Sequence, residues 1–200
     1  MGAPTVTFFF EIASTYSYLS VMTADAEAEA RGVSLIWRPF LLGPIFRAIH
    51  GVMDSPFNAQ PEKGRYMWRD VERRATRLGL PFRRPSTFPR NPLLAARVSC
   101  GALREPSGKE VVRAIYRANF AEGRDIADEA TLRAIVAEAG ADPDRLLEAA
   151  RSEAIKAELR ANTEEARVLG IFGAPSFVVG EELYWGSDRL HDALDHALGV

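Results

Sequence analysis

The sequence predicts an α/β protein whose small sheet comes from the two ends of the chain, with a large all-helical stretch inserted between them. Strand-like runs occur only near the start, at residues 6–10 and 33–38, and near the end, at 173–180 and 182–185. From 62 to about 166 apolar residues recur almost throughout at helical spacing. Two hundred residues with 47% apolar content suit one compact domain, or one domain carrying a large insertion. The expected division is therefore an α/β unit built from residues 1–42 and 169–200, of the form βαβ…ββα, and a helical insertion at 43–168.

The first strand reads Val-Thr-Phe-Phe-Phe, β-branched and aromatic throughout, as a strand buried on both faces requires. Glu11, Ala13, Ser14 and Thr15 break that run. From Tyr18 onward, Leu19, Met22, Ala26, Ala28 and Ala30 carry a helical pattern that Arg31-Gly32 stops. Residues 33–38 form a second strand, ended by Pro39, and strand, helix and strand in such close succession make a right-handed parallel unit. Residues 40–60 mix Gly, Pro, Asn and Ser and read as an irregular connection with one short helix at 45–50.

The insertion opens with an apolar stripe of Met67, Val71, Ala75 and Leu78, backed by Arg65, Arg69, Arg73 and Arg77 on another face. Asp70 and Glu72 interleave with those arginines, so the face reads as solvated rather than as a nucleic-acid surface. Gly79-Leu80-Pro81 ends this helix, 82–91 is a Pro- and Arg-rich loop, and Pro92 opens a helix to about residue 104. Helices at 107–122 and 128–139 follow. Ala141-Asp142-Pro143 opens the last helical stretch, to about 169, with a break near 151. The final strands flank Gly180-Glu181, and Gly186-Ser187-Asp188 caps a last helix at 189–198.

Composition excludes several functions. A formal net charge of −2 gives no field that draws the chain to nucleic acid or to an anionic membrane. No apolar run approaches the roughly 18 residues of a membrane span. The N-terminus lacks the basic region of a signal peptide, and Met1-Gly2 fails as a myristoylation signal because Val6 stands where Ser or Thr is needed. Cys100 is the single cysteine, so there is no intrachain disulfide and no Cys-x-x-Cys, and a cytoplasmic location is expected. His50, His191 and His196 lack metal-ligand spacing, so no metal is expected.

Chemistry concentrates at the corner between the first strand and helix. The first turn of a helix leaves N–H groups unpaired and carries part of a positive charge, so an anion at Ser14 is stabilised without Lys or Arg. Ser14 can accept from the turn as an N-cap, or donate its O–H outward to an anion. At the other end of the chain, Pro175 cannot donate to a strand ladder. A cis Ala174–Pro175 bond would turn the Ala174 backbone outward as an edge open to a peptide. Ser187 and Asp188 offer either a second helix cap or capture of a carboxylate and an ammonium.

These pieces join in a resemblance. Phe8-Phe9-Phe10-Glu11-Ile12-Ala13-Ser14-Thr15-Tyr16-Ser17-Tyr18, Phe172-Gly173-Ala174-Pro175-Ser176 and Trp185-Gly186-Ser187-Asp188-Arg189-Leu190 resemble the 2-hydroxychromene-2-carboxylate isomerases. These are relatives of the kappa-class glutathione transferases in the DsbA-like branch of the thioredoxin fold. Asn58-Ala59-Gln60-Pro61-Glu62-Lys63, Tyr66, Asp70, Gly79-Leu80-Pro81-Phe82 and Phe88-Pro89-Arg90-Asn91 agree as well, so the likeness covers nearly the whole chain.

The resemblance implies a thioredoxin-like fold, a homodimer, and glutathione as the bound cofactor. It puts Ser14 in the place of the serine that holds the thiolate of glutathione, and Asn58 and Lys63 against the tripeptide. Ala174, ahead of a cis Pro175, would pair with the cysteinyl part, and Ser187 and Asp188 with the γ-glutamyl end. Two positions depart from the pattern: Glu11 stands where Asp is usual, and Thr15 where Pro usually opens the helix. The implied activity is glutathione-dependent isomerisation of a 2-hydroxychromene-2-carboxylate-type aromatic carboxylate to a trans-benzylidenepyruvate, within aromatic hydrocarbon catabolism. The alternative is a kappa-like transferase or peroxidase acting on electrophiles at the same thiolate.

Overall fold

The computed structural model describes residues 3–200; Met1-Gly2, weighed above as a lipidation signal, lies outside them. Four strands form one mixed sheet in the order β2-β1-β3-β4. β1 (Thr5–Phe10) runs parallel to β2 (Ser34–Pro39), with Phe8 opposite Trp37, and antiparallel to β3 (Ser176–Val179), with Phe8 opposite Phe177. β4 (Glu182–Trp185) pairs antiparallel with β3 at the edge. This is a thioredoxin-like sheet, and among the described residues no strand interrupts the helices between β2 and β3.

β1 is central, and its sequence shows why. Phe8, Phe9 and Phe10 are all fully buried, on alternate faces as the period of two requires. Phe8 and Phe10 point into the larger apolar cluster, where Phe8 stacks on Phe177 at 5.0 Å and meets Trp37 edge-on at 5.4 Å. Phe9 points the other way, onto Phe40, Ile45, Ala166 and Ile171. α1 (Thr15–Ala30) covers the first face with Tyr18 and Leu19, and α9 (Glu153–Val168) covers the second with Ala166. The strand expected from the sequence to be buried on both faces is thus sandwiched between helical layers.

The connection after β2 is more regular than its composition suggests. α2 (Leu42–His50) begins three residues earlier than expected, because Pro44 falls in its first turn, where no backbone N–H is needed. A short helix, α3 (Pro56–Ala59), precedes α4 (Pro61–Arg77). Gly64 lets these two close on each other, since a Cβ there would lie 2.4 Å from the Phe57 carbonyl oxygen. On α4, Met67, Val71 and Ala75 are buried as expected, whereas Leu78 lies beyond the helix end and is exposed.

α5 (Leu93–Ala102), α6 (Gly108–Arg117), α7 (Glu129–Glu138) and α8 (Pro143–Arg151) extend the Phe8 cluster through Val98, Ile115, Ile135 and Leu147. The expected helix at 107–122 changes character at residue 118. Ala118–Glu122 is a π-helical turn, and Asn119 within it accepts from the buried Arg90 at 2.9 Å. Arg90 also donates to the Gly123 carbonyl at 2.8 Å and to that of Arg124, and faces Asp125 at 3.6 Å. One guanidinium therefore pins the 82–91 loop, whose Phe88–Pro89 bond is cis. The break expected near 151 is at Ser152, whose Oγ caps α9 by accepting from Ile155 N at 3.2 Å. α10 (Leu190–Leu198) closes the chain and packs Leu190 and Leu194 onto the sheet.

Candidate active site

The β1–α1 corner, the α2–α3 connection, the start of α4, the 88–93 segment and the approach to β3 enclose one large cavity of about 870 Å³. Its wall is mainly apolar: Leu42, Phe46, Ile49, Met53, Phe57, Phe88, Phe172 and Trp185 contribute. Ser14, Glu11, Lys63, His50, Gln60, Asn91 and the Ala174 backbone supply the polar points. Few polar groups in an apolar recess is the usual composition of a small-molecule site.

Ser14 stands at the head of α1 with the extended backbone of an N-cap, φ −79° and ψ 122°. Its Oγ accepts from Ser17 N at 3.2 Å and donates to the Ala174 carbonyl at 3.0 Å. The cap is therefore present, and the free hydroxyl hydrogen is spent on a backbone carbonyl of the same chain. Thr15 takes the first helical position without the usual proline and is itself buried, so the corner geometry does not depend on that ring. The Ala174–Pro175 bond is cis, as expected, and brings the Ala174 main chain against Ser14 from a point 160 residues away.

The other residues singled out from sequence divide. Lys63 lines the cavity with its ammonium 5.7 Å from the Phe57 ring centroid. Its neighbour Glu62 is engaged by Arg65 at 3.1 Å, and no carboxylate among the described residues pairs with Lys63. Asn58 is outside the cavity wall: its amide donates to Asp54 at 2.9 Å and to the Phe88 carbonyl at 3.0 Å, tying α3 to the 88–92 loop.

Ser187 and Asp188 also lie off the wall, at the β4–α10 junction. Gly186 N donates to the Pro175 carbonyl at 3.0 Å, so the junction sits behind the cis proline. Neither residue caps the last helix, contrary to expectation: α10 starts at Leu190 with Arg189 in the cap position and no side-chain cap bond. Gly186 has a positive φ of +118°, a conformation that favours glycine. Asp188 pairs with Arg189 at 3.2 Å, and the buried Oγ of Ser187 has no hydrogen-bond partner among the described residues.

Three features were not legible in the sequence as parts of a site. The first is Glu11, noted only as a departure from a pattern. Its buried carboxyl accepts from Ala13 N at 2.9 Å, and burial pushes it up from an ordinary 4.5 to about 8, against the lowering pull of the Ala13 and Ser14 N–H groups. The second is an aromatic pair at the mouth, Phe172 edge-on to Trp185 at 4.8 Å. Gly173 makes room for that indole, whose Nε1 would lie 2.3 Å from a Cβ. The third is the rim formed by Ile49 and Met53, each more than half exposed beside the cavity. Cys100 takes no part: it is buried in α5, away from the wall, and burial raises its thiol to about 12.

Comparison with known proteins agrees with the fold. The chain matches the family model of the DSBA-like thioredoxin domain over residues 5–198. It is 30% identical to a 2-hydroxychromene-2-carboxylate isomerase of Sphingobium xenophagum, over 93% of this chain and 94% of that protein. It is 27% identical to the human glutathione S-transferase kappa 1, over 98% of this chain and 91% of the other. A solved 2-hydroxychromene-2-carboxylate isomerase superposes with a TM-score of 0.84 at 25% identity, covering 98% of this chain and 94% of that one.

Proposed function

Because the chain belongs to the DSBA-like thioredoxin domain family, we propose that it is a glutathione-dependent isomerase, interconverting 2-hydroxychromene-2-carboxylate and trans-o-hydroxybenzylidenepyruvate-type compounds in aromatic hydrocarbon catabolism. One observation carries the reading. A hydroxyl at a helix N-terminus opens into a large apolar cavity against a cis-proline backbone, with no thiol of the protein's own in the wall. A cysteine at that corner would serve redox chemistry, whereas a serine leaves the place for a thiol brought from outside.

Two groups support glutathione as the ligand, one in the cavity wall and one behind the cis proline. Lys63 is a cation without a carboxylate partner among the described residues, and Ser187 Oγ is a buried hydroxyl without one. Such groups are completed by a ligand's carboxylates and amides. In this reading Lys63 holds the tripeptide from the cavity wall, Asn58 joins it on releasing Asp54 and the Phe88 carbonyl, the Ala174 main chain ahead of Pro175 pairs with the cysteinyl part, and the γ-glutamyl end extends past the wall to Ser187 and Asp188. When bound, glutathione supplies a thiolate that adds reversibly to a conjugated double bond, allowing rotation before elimination.

The protein's part is to make that thiolate and to hold the substrate. The Ser14 hydroxyl turns from the Ala174 carbonyl to donate to the sulfur, and the α1 dipole favours its negative charge. A free thiol has a pKa near 8.5, so about 2 kcal/mol of such stabilisation brings it near 7 and leaves about half of it ionised at neutral pH. Phe57, Phe88, Phe172 and Trp185 offer flat apolar faces for an aromatic ring. The reading carries with it a homodimer in the cytoplasm; among the described residues no helix is long and apolar enough to cross a membrane.

A kappa-type transferase or peroxidase is the second reading, favoured by the near full-length match to kappa-class relatives. Turnover of a chromene carboxylate that requires glutathione but does not consume it supports the isomerase. Stoichiometric loss of thiol, with no isomerisation, supports the transferase and overturns the leading reading.

A further inference from the structure

Glu11 is a buried acid that no part of the site's architecture requires to be charged. Its side chain ends the β1 run and turns back onto the first turn before α1, where Oε2 accepts from Ala13 N at 2.9 Å. Glu11 lines the same cavity as Ser14, three residues on, and the two are joined by the Ser14 N to Glu11 carbonyl bond at 2.9 Å.

The surroundings lack a counter-ion. From α6, Tyr116 donates its phenol to the Glu11 carbonyl oxygen at 2.6 Å, and from α1 the Ser17 hydroxyl receives Glu11 N at 3.5 Å. The cations sharing the cavity wall are Arg90, already committed to Asn119, Gly123, Arg124 and Asp125, and Lys63 on α4, with His50 at the end of α2. None pairs with Glu11 among the described residues. A carboxyl buried without a cation keeps its proton, and a protonated carboxyl in a cavity wall is a proton donor.

Resting on the isomerase reading, we infer that Glu11 is the acid–base group of the site, lending its proton to the carbonyl oxygen of the bound substrate. As a thiolate adds to the double bond, the π electrons move to that oxygen, the Glu11 O–H bond breaks and a substrate O–H bond forms. On elimination the proton returns to the Glu11 carboxylate, the double bond re-forms and the carbon–sulfur bond breaks. No proton or electron is consumed over the cycle.

The test compares wild type with Glu11→Gln and Glu11→Asp. Gln keeps the oxygen that accepts from Ala13 N, so the turn survives while the transferable proton is lost. Infrared difference spectra against Glu11→Gln should show a protonated carboxyl band in the wild type at pH 7 that disappears around pH 8. At saturating glutathione, wild-type kcat should fall above about pH 8. Glu11→Gln should lose that alkaline limb and about a hundredfold in kcat. Glutathione affinity and the thiolate absorbance titration should stay within about twofold of wild type. Glu11→Asp should retain the limb.

An absent protonated band at pH 7, or a Glu11→Gln enzyme with near wild-type kcat and an intact alkaline limb, overturns the inference. A wild type that binds glutathione and carries the band, yet isomerises no chromene carboxylate, overturns the isomerase reading, and the proton's assigned destination with it.

Discussion

Replacing Ser14 with Ala removes one oxygen that makes two bonds, and the structure sets the size of both consequences. The lost cap to Ser17 N costs about 1 kcal/mol, and the lost bond to the Ala174 carbonyl about 1 kcal/mol more. A plain helix cap would forfeit only the first. For a chain of this length, about 2 kcal/mol corresponds to a fall in Tm of roughly 4–8 °C. The effect on chemistry is separate. A hydrogen bond to a charged group contributes about 1.5–3 kcal/mol, so losing it should raise the pKa of the bound thiol by about one to two pH units. Turnover near pH 7 should then fall by about 5- to 50-fold, as the thiolate fraction does, while most of the glutathione affinity, which comes from elsewhere along the tripeptide, is kept. Denaturant unfolding measures the first effect, and ultraviolet absorbance of the thiolate against pH measures the second. An unchanged thiolate titration together with full turnover would reduce Ser14 to a structural cap and remove the basis of the proposed mechanism.

Other expectations follow from the same geometry. In the folded chain Glu11 holds a proton between about pH 4.5 and 8 that the unfolded chain has released, so its contribution to stability declines as pH rises through that window. The decline has a ceiling of about 1.4 kcal/mol per pH unit. Stability of Glu11→Gln should lack this slope, and parallel unfolding curves for the two proteins between pH 5 and pH 8 would show the buried carboxyl to be ionised. Lys63→Met should weaken glutathione binding about tenfold at low salt, by calorimetry, with kcat nearly unchanged; equal affinity in both proteins removes Lys63 from the site. Asp188→Ala should bind glutathione at least tenfold more weakly. It should unfold almost as the parent does, because Arg189 retains Asp192 at 3.0 Å; undiminished affinity refutes the γ-glutamyl assignment.

Much of this protein is local and was therefore readable in one dimension. The Phe8-Phe9-Phe10 run specifies a strand buried on both faces. Gly32 and Gly79 end α1 and α4 with positive φ, and Pro143 begins a helix, because periodicity and capping act within a turn or two of the residue concerned. Where a local rule competes with another, the reading slipped. The irregular connection expected at 40–60 starts its helix at 45, whereas Pro44 serves in the first turn of α2, and the cap expected at Ser187-Asp188 is absent from α10.

What only the tertiary structure decided is how groups far apart in the chain meet. The Ser14 hydroxyl reaches the Ala174 carbonyl across 160 residues because β1 and β3 are neighbours in the sheet. Arg90 finds four oxygen-bearing partners on and beyond the π-helical turn. Whether Glu11 carries a charge depends on how completely β1, α1 and α6 shut it away from water. Desolvation is a property of everything that surrounds a carboxyl, and no stretch of sequence around residue 11 contains it.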